Sequence, residues 1–193
     1  MARLERVFVD TNELFPFTIM DTLLTLAEER IFTWVWTDEL IDEWERVIVR
    51  EQRRSADSAA AIVKVVRTFF ANERLEPSKY LPLIDESLSR DPDDRVHAAA
   101  CLSGEVDVLV TRNHRDFPLD RLTEAGVAVM SSDDYLVSVL GKKQREVVEA
   151  VSLTAGRKRN PPKTSCELVA DLRQAGAPKF ASRLMPLLGC EQS

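Results

Sequence analysis

The sequence predicts an α/β protein: a three-layer α/β/α sandwich with a central parallel sheet, followed by a C-terminal helical extension. Two observations carry this. Short β-type runs alternate with helix-period segments through the first 140 residues, and beyond Leu140 the β signal stops. Four runs rich in β-branched or aromatic residues read as strands, over residues 6–10, 31–36, 106–111 and 126–130, with a weaker one near Leu75. Between them, helical spacing covers residues 17–29, 38–50, 55–70 and the alanine-rich 94–103. In the second helix, Leu40, Ile41, Trp44, Val47 and Ile48 share one stripe. After Leu140 come a helix over 142–153, a basic proline-containing linker AGRKRNPPKTS, and two short helices over 165–174 and 178–188 separated by Gly176. The expected division is a body over 1–140 and an extension over 141–193.

Composition narrows the class. The 193 residues are 45% hydrophobic and 30% charged with only 6 glycines, which excludes collagen and long disorder. No apolar run approaches the roughly 18 residues that span a bilayer, and MARLERVFVD lacks a signal-type apolar region, so the expected location is the cytoplasm, with no membrane partner. Cys101, Cys166 and Cys190 are scattered and show no C-x-x-C spacing; they read as packing residues, against both a disulfide framework and a thiolate zinc site. The net charge of −6 is unevenly spread: 16 basic against 27 acidic residues up to Leu140, and 10 against 5 afterwards. An acidic body does not hold nucleic acid through phosphate contacts alone, but it suits a cation site.

Four places present acids where an α/β sheet does its chemistry, beyond the carboxyl ends of the strands. Asp10 ends the first strand and precedes Thr11 and Asn12; the competing reading is a helix cap. On TDELIDEWERVIVR, Glu43 falls at the border of the apolar stripe, whereas Glu39 and Asp42 point away and should be solvated. Asp91, Asp93 and Asp94 crowd the start of the alanine-rich helix, more than capping needs, and periodicity cannot separate Asp93 from Asp94. His97 could support the site or simply pack. Thr111, Asn113 and Asp116 follow the strongest strand, where the competing reading is a polar turn before Phe117 and Pro118. Carboxylates converging at one edge cannot all stay ionised without a cation. Oxygen donors without thiolates select Mg2+ or Mn2+, whose natural chemistry here is phosphodiester hydrolysis.

The segments VFVDTNELF, TDELIDEWERV, DPDDRVHAAACLSGEVDVLVT and TRNHRDFP, in this order from about Val7 to Leu140, resemble a PIN domain, and in detail the ribonuclease toxins of the VapC type. The resemblance implies an α/β/α sandwich, an acidic pocket holding magnesium or manganese, endonucleolytic cleavage of RNA, inhibition by a small VapB-like antitoxin, and homodimerisation as a common state. Carried over by position, Asp10 matches the first acid, Glu43 the second, Asp94 the third with Asp93 as the alternative, and Asp116 the fourth; Asn12 and Thr111 match supporting polar positions. Two departures stand out. Asn113 occupies a place where relatives often carry aspartate, leaving either a shifted role for Asp116 or a weakened metal site. Glu13 replaces a usually apolar residue and is expected to add charge at the pocket mouth. The extension resembles that of a longer toxin subgroup.

Basic residues for an RNA partner are few in the body. Arg112 and Arg115, beside the fourth acid, are the expected phosphate contacts; Arg46, Arg50, Arg53 and Arg54 form one further edge, and Arg157, Lys158 and Arg159 another. Two alternatives compete with a metal-dependent endoribonuclease. One is a catalytically weak or inactive PIN-scaffold module that binds RNA or protein. The other is a haloacid-dehalogenase-type phosphatase, disfavoured because Asn12 stands where that chemistry wants a second aspartate.

Overall fold

The computed structural model describes residues 3–51 and 54–190. Its four strands, β1 (Arg6–Val9), β2 (Thr33–Val35), β3 (Val108–Val110) and β4 (Ala128–Met130), form one sheet in the order β2-β1-β3-β4. β1 runs parallel to both neighbours, with Phe8 opposite Val35 on one side and Leu109 on the other. Both central strands are buried on both faces, as apolar runs such as VFV and VLV require. The α/β/α architecture with C-terminal helices expected from the sequence is the one observed. The weak strand near Leu75 is not formed. Trp36 and Arg74 make an isolated parallel bridge, and Leu75 N–H donates to Trp36 O at 2.8 Å. Pro77 then opens a helix and pairing ends.

In chain order the helices are α1 (Thr11–Leu14), α2 (Phe17–Glu28), α3 (Asp38–Arg50), α4 (Ala56–Phe69), α5 (Pro77–Tyr80), α6 (Pro92–Cys101), α7 (Leu119–Glu124), α8 (Ser132–Lys142), α9 (Gln144–Arg157), α10 (Ser165–Ala175) and α11 (Pro178–Leu184). The boundaries follow local chemistry. Thr37 caps α3 by accepting from Leu40 N–H at 3.2 Å, and the buried stripe is Leu40, Ile41, Trp44 and Ile48. α6 starts two residues before the alanine-rich pattern does, because Pro92 is well placed at a first helical position and Asp91 accepts from Asp93 N–H at 3.0 Å. α1, α5, α7 and α8 carry no strong periodic signal in the sequence.

The chain divides into two compact units. One comprises Glu5–Phe15 and Thr33–Val129; its core holds Phe8, Trp34, Trp36, Trp44, Leu109 and the alanines 98–100. The other joins Pro16–Phe32 to the helices after Met130 and buries Leu136, Val151, Leu168, Leu172 and Phe180. Within this second unit α2 packs on α9 and α10. Arg157 pairs with Glu28, and Lys158 with Asp21, so two basic residues of the expected linker are bound to α2 rather than free on a tether. Gly176 ends α10 at φ 109°, a left-handed conformation glycine adopts without strain.

One expectation is overturned here. Cys166 and Cys190 are joined by a disulfide, with their Cα atoms 5.6 Å apart. The turn at Gly176 and the 3-10 turn Pro186–Leu188 bring Cys190 back to the first turn of α10. A sequence separation of 24 carries no spacing signature, so only this return shows the pair. Cys101 is a free, fully buried packing residue, and burial pushes its thiol well above the usual range.

Candidate active site

The chain leaves β1 for β2 on one side and later returns to β3 on the other. The order β2-β1-β3-β4 therefore reverses at β1, and the carboxyl ends of β1 and β3 open the crevice in which such sheets bind ligands. Asp10 and Thr111 follow those two strands directly. Asp10 occupies the cap position of α1 but makes no side-chain cap bond. Its carboxylate is turned to Thr111 instead, whose Oγ1 donates to Asp10 Oδ2 at 2.6 Å, and to the Asn12 side-chain amide, which donates to the same oxygen. The capping reading of Asp10 thus gives way to a polar network. Asn12 also donates to Thr111 Oγ1 at 3.2 Å, and Asn113 N–H to the same hydroxyl at 3.0 Å.

Asp10 is only 4% exposed. Burial, with the nearby charges of Glu43 and Glu13 adding to it, pushes its carboxyl up to about 6 against the pull of the Thr111 hydrogen bond. Glu43 is half-buried, raised by burial and further by the charges of Asp94 and Asp93. Asp94 is half-buried, whereas Asp93 is exposed. Burial and the charges of Asp10, Asp91 and Asp116 carry Asp94 up to about 7. Asp116 ends the 3-10 turn His114–Asp116 and accepts a hydrogen bond from the Asn113 amide. The structure thus brings Asp94 within electrostatic reach of Asp10, Glu43 and Asp116, and Asp10 within reach of Glu43. It assigns Asp91 to the cap and Asp93 to the rim of an adjoining cavity of about 250 Å³, also lined by Glu39, Glu43, Arg46 and His97.

Two side chains, Glu39 and Glu13, stand differently from the sequence reading. Glu39, expected in solvent, is half-buried and accepts from Tyr80 Oη at 2.7 Å; its partner comes from α5, a short helix without a periodic signal. Asp42 is exposed, as expected, and pairs with Arg67. Glu13, expected at the pocket mouth, is 0% exposed, with Arg112 Nε 2.9 Å from its Oε2. Arg115 is exposed on the 3-10 turn. Arg53 lies outside the described residues.

His97 sits beneath the acids, 1% exposed, with Nε2 3.4 Å from Glu43 Oε2 and Nδ1 3.9 Å from Asp10 Oδ1. Burial lowers its pKa to about 4, so the ring is neutral at pH 7. Its Nδ1 is buried and has no hydrogen-bond partner. The imidazole of a helix otherwise filled by Ala98, Ala99 and Ala100 thus faces acids from β1 and α3, a role only the packing of these segments shows.

Among the described residues no three His, Cys, Asp or Glu side chains form a ready-made metal-binding group. The donor set nevertheless fits one kind of ion. Mg2+ is commonly held by one or two carboxylates, with waters and substrate phosphates completing its shell. Asp10 and Asp94, whose negative charges oppose each other, offer that much, and a cation between them would relieve the repulsion.

A PIN domain family model matches residues 6–115, the segment that carries Asp10, Glu43, Asp94 and Thr111, and a VapC50 C-terminal domain model matches residues 132–186. Searches of curated proteins and of solved structures give no significant match. With more than half of its length matched by the first of these models, and the second matching the helices that follow, the chain belongs to the PIN-domain, VapC-type toxin family.

Proposed function

We propose that the protein is a metal-dependent endoribonuclease, the toxin of a VapBC-type toxin–antitoxin pair, using Mg2+ or Mn2+. The observation that carries this reading is the placing of Asp10, buried at the switch point of the sheet and held by Thr111 Oγ1 at 2.6 Å, close enough to Asp94 for its charge to help raise that carboxyl to about 7. Carboxyls raised together in one crevice mark a site arranged for a cation and for proton transfer near neutral pH. PIN domains are generally dependent on divalent metals, and the VapC relationship implies RNA as substrate and a VapB antitoxin as partner. The same reading assigns residues 1–140 to the nuclease domain and 141–193 to its extension, locates the protein in the cytoplasm, and counts a second copy of the chain as a partner. Among the described residues no helix is long and apolar enough to cross a membrane.

Asp10 and Asp94 would hold the cation, with Glu43 and Asp116 beside them. When bound, it neutralises phosphate charge and lowers the pKa of the attacking water. The chain's own contribution is orientation. Thr111 and Asn12 fix one oxygen of Asp10, leaving Oδ1 toward His97. His97, neutral, lies against Glu43 without adding charge. Asn113 anchors Asp116, so the asparagine at a position often acidic in relatives tethers an acid three residues on, which favours an active site over a decayed one.

Asp10→Asn or Asp94→Asn, with circular dichroism unchanged, is expected to abolish Mg2+-dependent cleavage of RNA and growth arrest on expression. Cleavage at the parental rate by either variant defeats the assignment. Calorimetry that shows no manganese binding dependent on Asp10 would instead favour a binding module with a decayed pocket.

A further inference from the structure

Glu13 lies on α1, three residues beyond Asp10, and is fully buried. A buried carboxylate is tolerated when paired, and the pairing crosses the switch point: Arg112 Nε, after β3, stands 2.9 Å from Glu13 Oε2. The backbone of Arg112 is anchored to the same turn, its N–H donating to Asn12 Oδ1 at 3.2 Å, and Asn12 donates in turn to Asp10. Arg112 is therefore tied through main chain and side chain to the turn that carries the first acid, yet its side chain remains 41% exposed. An arginine engaged through Nε by a buried partner has lost much of its rotamer freedom before any ligand arrives. Beside a cluster of acids, an unrestrained arginine would be drawn onto the nearest of them.

We propose that Glu13 is a positioning residue that holds Arg112 as a phosphate-contacting arginine of the site. RNA binding then depends on the Glu13–Arg112 pair and not on the charge of Arg112 alone. This rests on the RNA-cleaving function proposed above. It makes a prediction opposite in sign to charge counting. Removing the negative charge of Glu13 should, by Coulomb attraction alone, help a polyanion bind; removing a positioning residue weakens binding.

The test uses the full chain and a short single-stranded RNA. Fluorescence anisotropy in EDTA, across a salt series, reads binding, and steady-state cleavage in Mg2+ reads KM and kcat. The variants are Glu13→Gln, Arg112→Gln, Arg112→Lys and the double Glu13→Gln/Arg112→Gln, with melting curves for each. Arg112→Gln is expected to weaken binding roughly tenfold and to reduce the salt slope by about 1. Glu13→Gln weakens binding severalfold and affects KM more than kcat; the double variant binds no worse than Arg112→Gln. Arg112→Lys keeps the charge and, in a variant whose melting curve shows it folded, still binds more weakly. Glu13→Gln binding as tightly as wild type or tighter, or Arg112→Lys matching wild type, overturns the inference. Wild type that binds RNA while Arg112→Gln binds equally well, with the same salt slope, overturns it and leaves the proposed function standing. Wild type that neither binds nor cuts RNA overturns both.

Discussion

Thr111 Oγ1 donates to Asp10 Oδ2 at 2.6 Å across a sequence separation of 101. The two residues stand one position beyond Val110 and Val9, which are register partners in β3 and β1. Parallel pairing therefore delivers the hydroxyl to the carboxylate, and the same hydroxyl accepts from Asn12 and Asn113. A single buried threonine joins the turn bearing the first acid to the turn bearing the fourth.

Thr111→Val keeps the shape and removes the donor. A hydrogen bond to a charged group contributes about 1.5–3 kcal/mol, so the melting temperature should drop. Loss of orientation at Asp10 should lower cleavage by about 10²-fold, the order expected for a misplaced reacting group. Since Thr111 pulls the Asp10 pKa down, its removal moves the acidic limb of the pH–rate profile to higher pH. Thr111→Ser should recover most of the loss; a valine variant with wild-type rate and profile would show that the bond does not matter.

The elevated Asp94 has a consequence for stability. Its folded pKa, about 7, lies above the ordinary aspartate value of 3.8, so the folded state binds the proton more tightly than the unfolded one does. The stabilisation is full below the unfolded value and is lost as pH rises through about 7. His97, lowered to about 4, acts in the opposite direction between that value and its ordinary one, whereas Asp10 and Glu43, both raised, act in the same direction as Asp94, so the wild-type melting curve alone blends all of them. The difference between Asp94→Asn and wild type reads the part that depends on the Asp94 charge. In EDTA the variant's advantage in melting temperature should grow from pH 5 to pH 8, and Mg2+ should raise the wild type more at pH 8 than at pH 5. A pH-independent difference would refute the placement of Asp94.

In the helical unit, Asp133 is buried and accepts from the backbone N–H groups of Lys179 at 3.1 Å and Phe180 at 2.8 Å. It satisfies the start of α11 from α8. Asp133→Ala leaves two donors without their acceptor, at about 1–3 kcal/mol, and should lower the urea midpoint; Asp134→Ala, whose exposed carboxylate pairs with Lys179, should change it by less than about 1 kcal/mol. Equal effects would count against the capping role.

The Cys166–Cys190 bridge closes a segment of 24 residues. Cross-links over loops of this size stabilise by about 3 kcal/mol in the chain-entropy account. Dithiothreitol should therefore lower the melting transition of wild type and leave Cys166→Ser unaffected. Mass spectrometry showing free thiols in the oxidised protein would contradict the pairing.

Much of the scaffold was legible locally. α3 is observed over the predicted residues because its stripe and its Thr37 cap are both encoded within thirteen or so neighbours, and the apolar runs of β1 and β3 are likewise self-announcing. The alanine-rich helix was legible in kind but not in boundary, since Pro92 and Asp91 begin it before the periodic pattern does. Glu39 was misread because its partner, Tyr80, belongs to a helix too short to leave a signal, and Glu13 because nothing within α1 shows that Arg112 neutralises it.

By itself the sequence determined the four strands and the longer helices with a clear apolar period, and which acids stand at the strand ends, but not the helices α1, α5, α7 and α8. Those features depend on the periodicity and capping of neighbouring residues. The tertiary structure alone decided which side chains face one another: Asp10 with Thr111, His97 with Glu43, Glu13 with Arg112 and Cys166 with Cys190. Hydrogen bonding, charge repulsion and disulfide formation act through distances of a few ångströms. Such distances between remote segments exist only once strand register and helix packing have set them.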